Sequence, residues 1–196
     1  MYILISFWSC FSVMILTGNQ IVEDYQKGKI SICPFDEKMV NPNSYNYRLG
    51  ETIYKVNDII VDPKSKSDIE RIDLSEDGYC LLPGCLYLGS TYESIGSAEY
   101  SIQLIGRSSI GRLGLFLQIS APLGHIGTDH NWTLELKVVQ PLIVYPRMKI
   151  GQVSFWKVEG ENDIPYLGKY WVYSEAHESE FYRELMQGEL LNDPNR

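Results

Sequence analysis

Basic residues are scarce in this chain: 17 Lys and Arg stand against 25 Asp and Glu, a formal charge of −8 over 196 residues. A nucleic-acid surface needs a cationic stripe that displaces counterions, so this balance argues against one. There are three histidines, His125, His130 and His177, and none begins a His-x-Glu pattern. The four cysteines, Cys10, Cys33, Cys80 and Cys85, are too few for a disulfide framework at this length and form no Cys-x-x-Cys pair, so zinc spacing is absent too. Cys80 and Cys85 flank Leu-Leu-Pro-Gly, which reads as a hairpin turn with two reduced, half-buried thiols.

Long apolar runs are missing except at the start. Tyr2 to Leu16 is almost wholly apolar, but it falls short of the ~20 residues a membrane helix needs. It also lacks the basic start and small-residue cleavage site of a secretion signal. Residues 1–13 are therefore expected to be a disordered upstream extension ahead of Met14, with no membrane partner and a cytoplasmic location. Without a secretion signal, the glycosylation pattern Asn131-Trp132-Thr133 carries no weight. No repeat or linker appears, so residues 14–196 read as one domain.

What is present points to strands. Apolar residues make up 44% and aromatics 12%, enough to build a core, and 14 tyrosines recur among Val, Ile and Thr. A short helix is expected from Thr17 to Lys27, capped by Thr17 and ended by Gly28. Two strands are expected between Tyr45 and Val61, around a break at Gly50-Glu51. Pro63 to Asp77 reads as a polar loop with one strand near Ile69 to Leu74. Tyr79 to Leu88 reads as strand, Pro-Gly turn, strand. Further strands are expected at Ala98–Ile105, Leu115–Ser120, Trp132–Val139, Leu142–Val144 and Gln152–Val158. An amphipathic helix over Glu175–Gln187 closes the chain, with Phe181, Leu185 and Met186 on its apolar side. Many short strands and few helices indicate a mainly β domain, a distorted barrel or jelly roll with a helix near each end.

The stretch Gly106-Arg107-Ser108-Ser109-Ile110-Gly111-Arg112-Leu113-Gly114-Leu115 concentrates polar donors. A guanidinium donates two parallel hydrogen bonds to phosphate, and hydroxyls and turn amides add more. It reads as a phosphate cradle, though a plain surface turn would show the same residue types.

This stretch resembles the signature of the dCTP deaminases, within the dCTP deaminase/dUTPase superfamily. Asn41-Pro42-Asn43-Ser44-Tyr45-Asn46-Tyr47-Arg48-Leu49-Gly50 resembles an early family block, with Asn46 where Asp is typical. Ser120-Ala121, Trp132-Thr133-Leu134-Glu135-Leu136 and Lys149-Ile150-Gly151-Gln152-Val153-Ser154-Phe155 resemble later segments, so the likeness runs from Met14 to about Tyr170. It implies a dUTPase-like β-clip, a homotrimer with sites between subunits, and conversion of dCTP to dUTP and ammonia without a catalytic metal. By position, Glu135 is the general base and acid, Ser108 and the carbonyl of Ala121 position the water, and Arg112 supports the centre electrostatically. Arg107, Ser108, Ser109, Ile110, Gly111, Arg112, Thr133, Leu134 and Glu135 belong to the nucleotide site. Tyr166 and Lys169 resemble residues that close over the triphosphate, which would arrive with Mg²⁺.

Cytosine deamination needs an activated water and a proton shuttle, and the usual zinc solution requires His-x-Glu and Pro-Cys-x-x-Cys. Neither occurs here, which leaves a carboxylate to do the work. Burial raises a carboxyl pKa and a neighbouring guanidinium lowers it, and such opposed pulls can poise a group for proton exchange. By alternation alone, Glu135 reads as a solvent-facing strand residue; its interval from Arg107 and the resemblance assign it chemistry.

The chain departs from the family where sugar contact is expected. His125 falls at the position of an Asp, and Asp129 would need a re-routed loop to replace it. Tyr173 takes the place of a Gln in the C-terminal pattern. A dUTPase or bifunctional deaminase-diphosphatase and a non-catalytic nucleotide-sensing trimer are the alternatives.

Overall fold

A computed structural model describes residues 14–117, 121–160 and 175–186. The expected upstream extension, Tyr166, Lys169 and Tyr173 lie outside them. Helix α1 (Gly18–Gln26) starts where Thr17 Oγ1 accepts from the Gln20 N–H at 3.4 Å, and Gly28 leaves it at φ 72°. Its Ile21 is fully buried, and its buried Asp24 accepts from Tyr100 Oη at 2.7 Å. Then follow β1 (Ile30–Cys33), a 3-10 turn (Glu37–Met39), β2 (Val40–Asn41), β3 (Ser44–Val56), β4 (Ile69–Asp73), β5 (Tyr79–Leu81) and β6 (Tyr87–Ser97). The chain continues through β7 (Tyr100–Gly106), α2 (Ser108–Gly111), β8 (Leu115–Leu117), β9 (Leu123–Gly124), β10 (Asp129–Val138), β11 (Leu142–Val144), β12 (Lys149–Lys157) and α3 (Phe181–Met186).

The expected mainly β fold is observed, and the main sheet curls into a half-barrel. Its path runs β8-β10-β6-β3-β12-β7-β9, with β1, β2 and β4 attached beside it, while β5 and β11 pair separately. Alternation along the strands builds the core. Leu134, Leu136 and Val138 of β10 point inward with Ile53 of β3 and Phe155 and Val153 of β12. Each such side chain contributes about 1.5–3 kcal/mol by leaving water. Tyr45, Tyr47 and Tyr87 are also fully buried. The ring of Tyr47 lies directly over Gly151, where a Cβ would fall inside its van der Waals envelope. Among the described residues no helix is long and apolar enough to cross a membrane.

Four expectations change. The break at Gly50 is no turn: β3 runs through it with a register shift between Leu49 and Ile53. A Cβ on Gly50 would sit 2.6 Å from Ser90 Oγ, so the glycine serves close strand approach at a bulge. Tyr79–Leu88 is not a hairpin, because β5 pairs with β11 and β6 pairs with β1, β3 and β10. Cys80, free, is exposed rather than half-buried, because it stands opposite Ile143 on the outer face of that pair. The C-terminal helix covers only Phe181–Met186 of the described residues, entering where Ser179 Oγ accepts from the Phe181 N–H at 3.3 Å. Phe181 and Met186 are exposed, so they do not form an apolar contact face.

Candidate active site

The arginine-serine segment folds as one tight turn leaving β7. Arg107 is extended (φ −101°, ψ 143°), and its carbonyl accepts from the N–H groups of Ile110 and Gly111 at 3.0 and 2.9 Å. Ile110 is buried and pins the turn to the core, while Ser108, Ser109 and Arg112 are exposed. Arg107 is half-buried and donates through Nη1 to the Lys149 carbonyl at 3.4 Å. Gly114, at φ 86°, turns the chain back into β8. Two guanidinium groups and two hydroxyls are therefore presented from a short anchored turn.

Strand β10 carries the second group. Leu134 and Leu136 are fully buried, so the alternation sends Thr133, Glu135 and Lys137 to the other face. Glu135 is half-buried and stands opposite the buried Leu88, and Thr133 stands opposite Ser90. Directly opposed residues share a face at about 5 Å between Cβ atoms. Glu135 thus has an apolar neighbour across the ladder and apolar residues on either side along the strand. Only the main chain of Leu134 is available to a ligand, since its side chain belongs to the core.

The two groups are joined by β8. The turn runs straight into this strand, whose Leu117, Phe116 and Leu115 pair with Leu136, Lys137 and Val138 of β10. The register sets the turn beside the Val138 end of this pair and Glu135 just beyond its Leu117 end, so β8 spaces the two groups along the sheet. Ala121 is exposed just before β9. His125 is exposed on the β9–β10 connection, and its carbonyl accepts from Thr128 Oγ1 at 2.7 Å. Asp129 opens β10 and accepts from Ser94 Oγ at 2.5 Å. His130 packs against the Trp132 ring, with centroids 4.2 Å apart. Among the described residues no group of three or more His, Cys, Asp or Glu is arranged to hold a metal ion.

Two features were invisible in the sequence. The first is an ion pair between β3 and β6 with a fully buried carboxylate: Arg48 donates through its main-chain N–H to Glu93 Oε2 at 2.8 Å and through Nε to Oε1 at 2.6 Å. Arg48 and Arg147 also lie over the Tyr92 ring, 4.7 and 4.9 Å from its centroid. The second is a cleft of about 200 Å³ at the β3 bulge, lined in part by Glu51, Thr52, Tyr54, Ser90, Tyr92 and Glu175. Both unite residues far apart in the chain, and no local pattern marks them.

Comparison with known proteins bears on the family and the fold. A family model described as dCTP deaminase-like matches residues 15–158. The chain is 44% identical over 157 residues to a protein of Clostridium beijerinckii named dCTP deaminase, dUMP-forming, covering 80% of this chain and 90% of that one. It is 40% identical over 172 residues to a Leptospira biflexa protein with the same name, covering 88% and 98%. A Rhodopirellula baltica protein named dCTP deaminase is 39% identical over 173 residues, covering 88% and 87%. In fold, the chain is similar to a crystal structure of 2′-deoxycytidine 5′-triphosphate deaminase from Agrobacterium tumefaciens, with a TM-score of 0.60 and 24% identity. That match covers 74% of this chain and 48% of the other, so the chain spans about half of the solved structure's length.

Proposed function

The chain belongs to the dCTP deaminase-like family, and from that premise we propose that it removes the 4-amino group of dCTP by hydrolysis and carries the product on to dUMP. The observation that supports the first step most strongly is the half-buried carboxylate of Glu135, on the strand that pairs with the one leaving the Arg107–Arg112 turn. Glu135 takes a proton from water as the oxygen bonds to C4, and passes it to N3. A second proton from the attacking oxygen goes to the amino nitrogen, the C4–N bond breaks, and ammonia leaves as the C4 carbonyl forms. General acid–base catalysis of this kind contributes about 10²–10⁴-fold. Ser108 and the Ala121 carbonyl orient the water, and Arg112 stabilises charge developing on the ring.

Arg107 and Ser109, on the exposed turn, take the triphosphate, with Tyr166 and Lys169 completing the site and Mg²⁺ entering with the substrate. A chain of charge −8 needs such local cations to receive an anion. A homotrimer is part of this reading. Leu113, Phe116 and Val139 leave apolar surface exposed around the turn, as a site completed by a second copy would require.

The names of the Clostridium and Leptospira relatives support dUMP, rather than the expected dUTP, as the end product. The added step is water attack on the α-phosphorus with pyrophosphate leaving, so one dCTP and two waters yield dUMP, pyrophosphate and ammonia. Asp129, fixed by Ser94, and His125 border the connection where the sugar would lie.

The test is incubation with dCTP and Mg²⁺, with ammonia assayed and nucleotides resolved by anion exchange. Equal yields of ammonia, pyrophosphate and dUMP are expected. Accumulating dUTP would overturn the second step, and bound but unconverted dCTP would favour nucleotide sensing. Glu135→Gln should lower deamination at least about 100-fold while dCTP still binds; wild-type turnover by that variant would refute the role given to Glu135.

A further inference from the structure

The described C-terminal residues hold to the body of the protein through charge. Glu175 Oε2 accepts from Tyr54 Oη at 2.6 Å and from Arg71 Nη1 at 2.8 Å. Arg71 is braced in turn by Asp73 Oδ1 at 3.2 Å and Thr52 Oγ1 at 3.3 Å. Three residues on, Lys66 Nζ meets Glu178 Oε1 at 2.7 Å, and the Glu178 side chain is only 6% exposed. Glu180 is buried as well and pairs with Arg183 at 3.0 Å.

Apolar burial does not explain this attachment. Ala176 is the buried apolar residue of the segment, while Phe181 and Met186 just beyond it are exposed. Desolvating carboxylates is unfavourable unless cations compensate, so a segment docked through them depends on its partners. Burial pushes the Glu178 carboxyl upward, but hydrogen bonds from Lys66 and from the main chain, with the charge of His177, outweigh it and leave it below the usual carboxylate range.

The anchors share one hairpin. Arg71 lies on β4, Tyr54 on β3, and Lys66 on the connection between them. Glu175 and Ala176 form a wall of the cleft of about 200 Å³, which Thr52, Tyr54 and Ser90 also line. Ser90 stands opposite Thr133, two residues from Glu135 on β10.

We propose that residues 175–180 form an electrostatic strap, latched by Arg71 and Lys66 across the β3–β4 hairpin, which walls the cleft beside β10 and so strengthens nucleotide binding there. The link to nucleotide binding rests on the function proposed above; the latch itself does not. Arg71 and Lys66 act as positioning residues.

The test uses the full-length protein with Arg71→Gln, Lys66→Gln and the double substitution. Lys64→Gln serves as control, since Lys64 makes no ion pair among the described residues. Amide hydrogen exchange over residues 175–180 is measured first without nucleotide. Arg71→Gln should speed exchange about 2- to 5-fold, as expected for a half-exposed pair, and the double variant by an order of magnitude or more. Raising NaCl from 0.05 to 1 M should speed wild-type exchange and leave the double variant unchanged. Unaltered exchange in the double variant overturns the latch. Steady-state assay with dCTP then reads the coupling: KM should rise several-fold in the double variant with kcat within twofold. Faster exchange with unchanged KM overturns the coupling. Absence of ammonia from the wild type refutes the proposed function, and exchange still decides the latch.

Discussion

Replacing Arg48 by Met should be among the most damaging single changes in this protein. The Glu93 side chain has no solvent exposure, and Arg48 reaches it through both the main-chain N–H and Nε. Methionine keeps much of the stem volume and the main-chain bond but removes the only charge that faces the carboxylate in this pair. Stranding a buried charge in this way costs about 3–5 kcal/mol. Loss of the guanidinium from the Tyr92 face adds about 0.5–1 kcal/mol. A protein of this size shifts its Tm by about 2–4 °C per kcal/mol, so melting should fall by about 7–24 °C. Glu93→Gln should cost less, about 1–3 kcal/mol, because the amide oxygen still accepts from the main chain and Arg48 is partly solvated. The double variant Arg48→Met/Glu93→Leu should recover most of the loss, since an apolar pair of similar volume removes the stranded charge. Urea unfolding followed by tryptophan fluorescence, at one fixed protomer concentration, measures all three. A loss below about 1 kcal/mol for Arg48→Met, or a double variant as unstable as the two losses summed, would refute the reasoning.

Other outcomes follow from packing and ionisation. Gly151→Ala should destabilise by about 3 kcal/mol, because the new methyl meets the buried Tyr47 ring and overpacking a fixed ring forces the strands apart; a melting temperature equal to wild type would contradict this. Burial pushes Tyr45 up to about 12 and raises Tyr47 and Tyr100 as well. Their neutral forms are the folded forms, so this contribution is intact below about pH 10 and is lost as pH climbs towards 12. Absorbance at 295 nm should show a late tyrosine phase coincident with loss of circular dichroism. A single smooth titration near pH 10 with the fold intact would be the contrary result. Tyr100→Phe should cost about 1–3 kcal/mol by removing the hydroxyl donor from buried Asp24, read in the same urea assay.

Local patterns were enough to identify α1, β4, β10, β11 and β12, because each follows from a cap or an alternation contained within a dozen residues. The arginine-serine turn was legible for the same reason: its donors are consecutive in the chain. So was the alternation that sets Glu135 apart from Leu134 and Leu136, though which side faced the core awaited the sheet. The full reach of β6 was missed: the expected strand stopped at Leu88, and the stretch holding Gly89, Ser90, Ser94 and Gly96 finds its partners only in three neighbouring strands. Gly50 read as a break because glycine marks turns and close strand contacts alike. Only the packed sheet shows which applies.

The amino-acid order by itself determined the class of fold, the signature turn and the side-chain types available for chemistry, because periodicity and local hydrogen bonding operate over short separations. Tertiary structure alone decided that Arg48 meets Glu93, that Tyr47 covers Gly151 and that Glu175 crosses to Arg71. Those contacts join residues 45 to 104 positions apart. Such meetings depend on strand register and burial, which are set by the whole core at once and leave no trace in any short window of the chain.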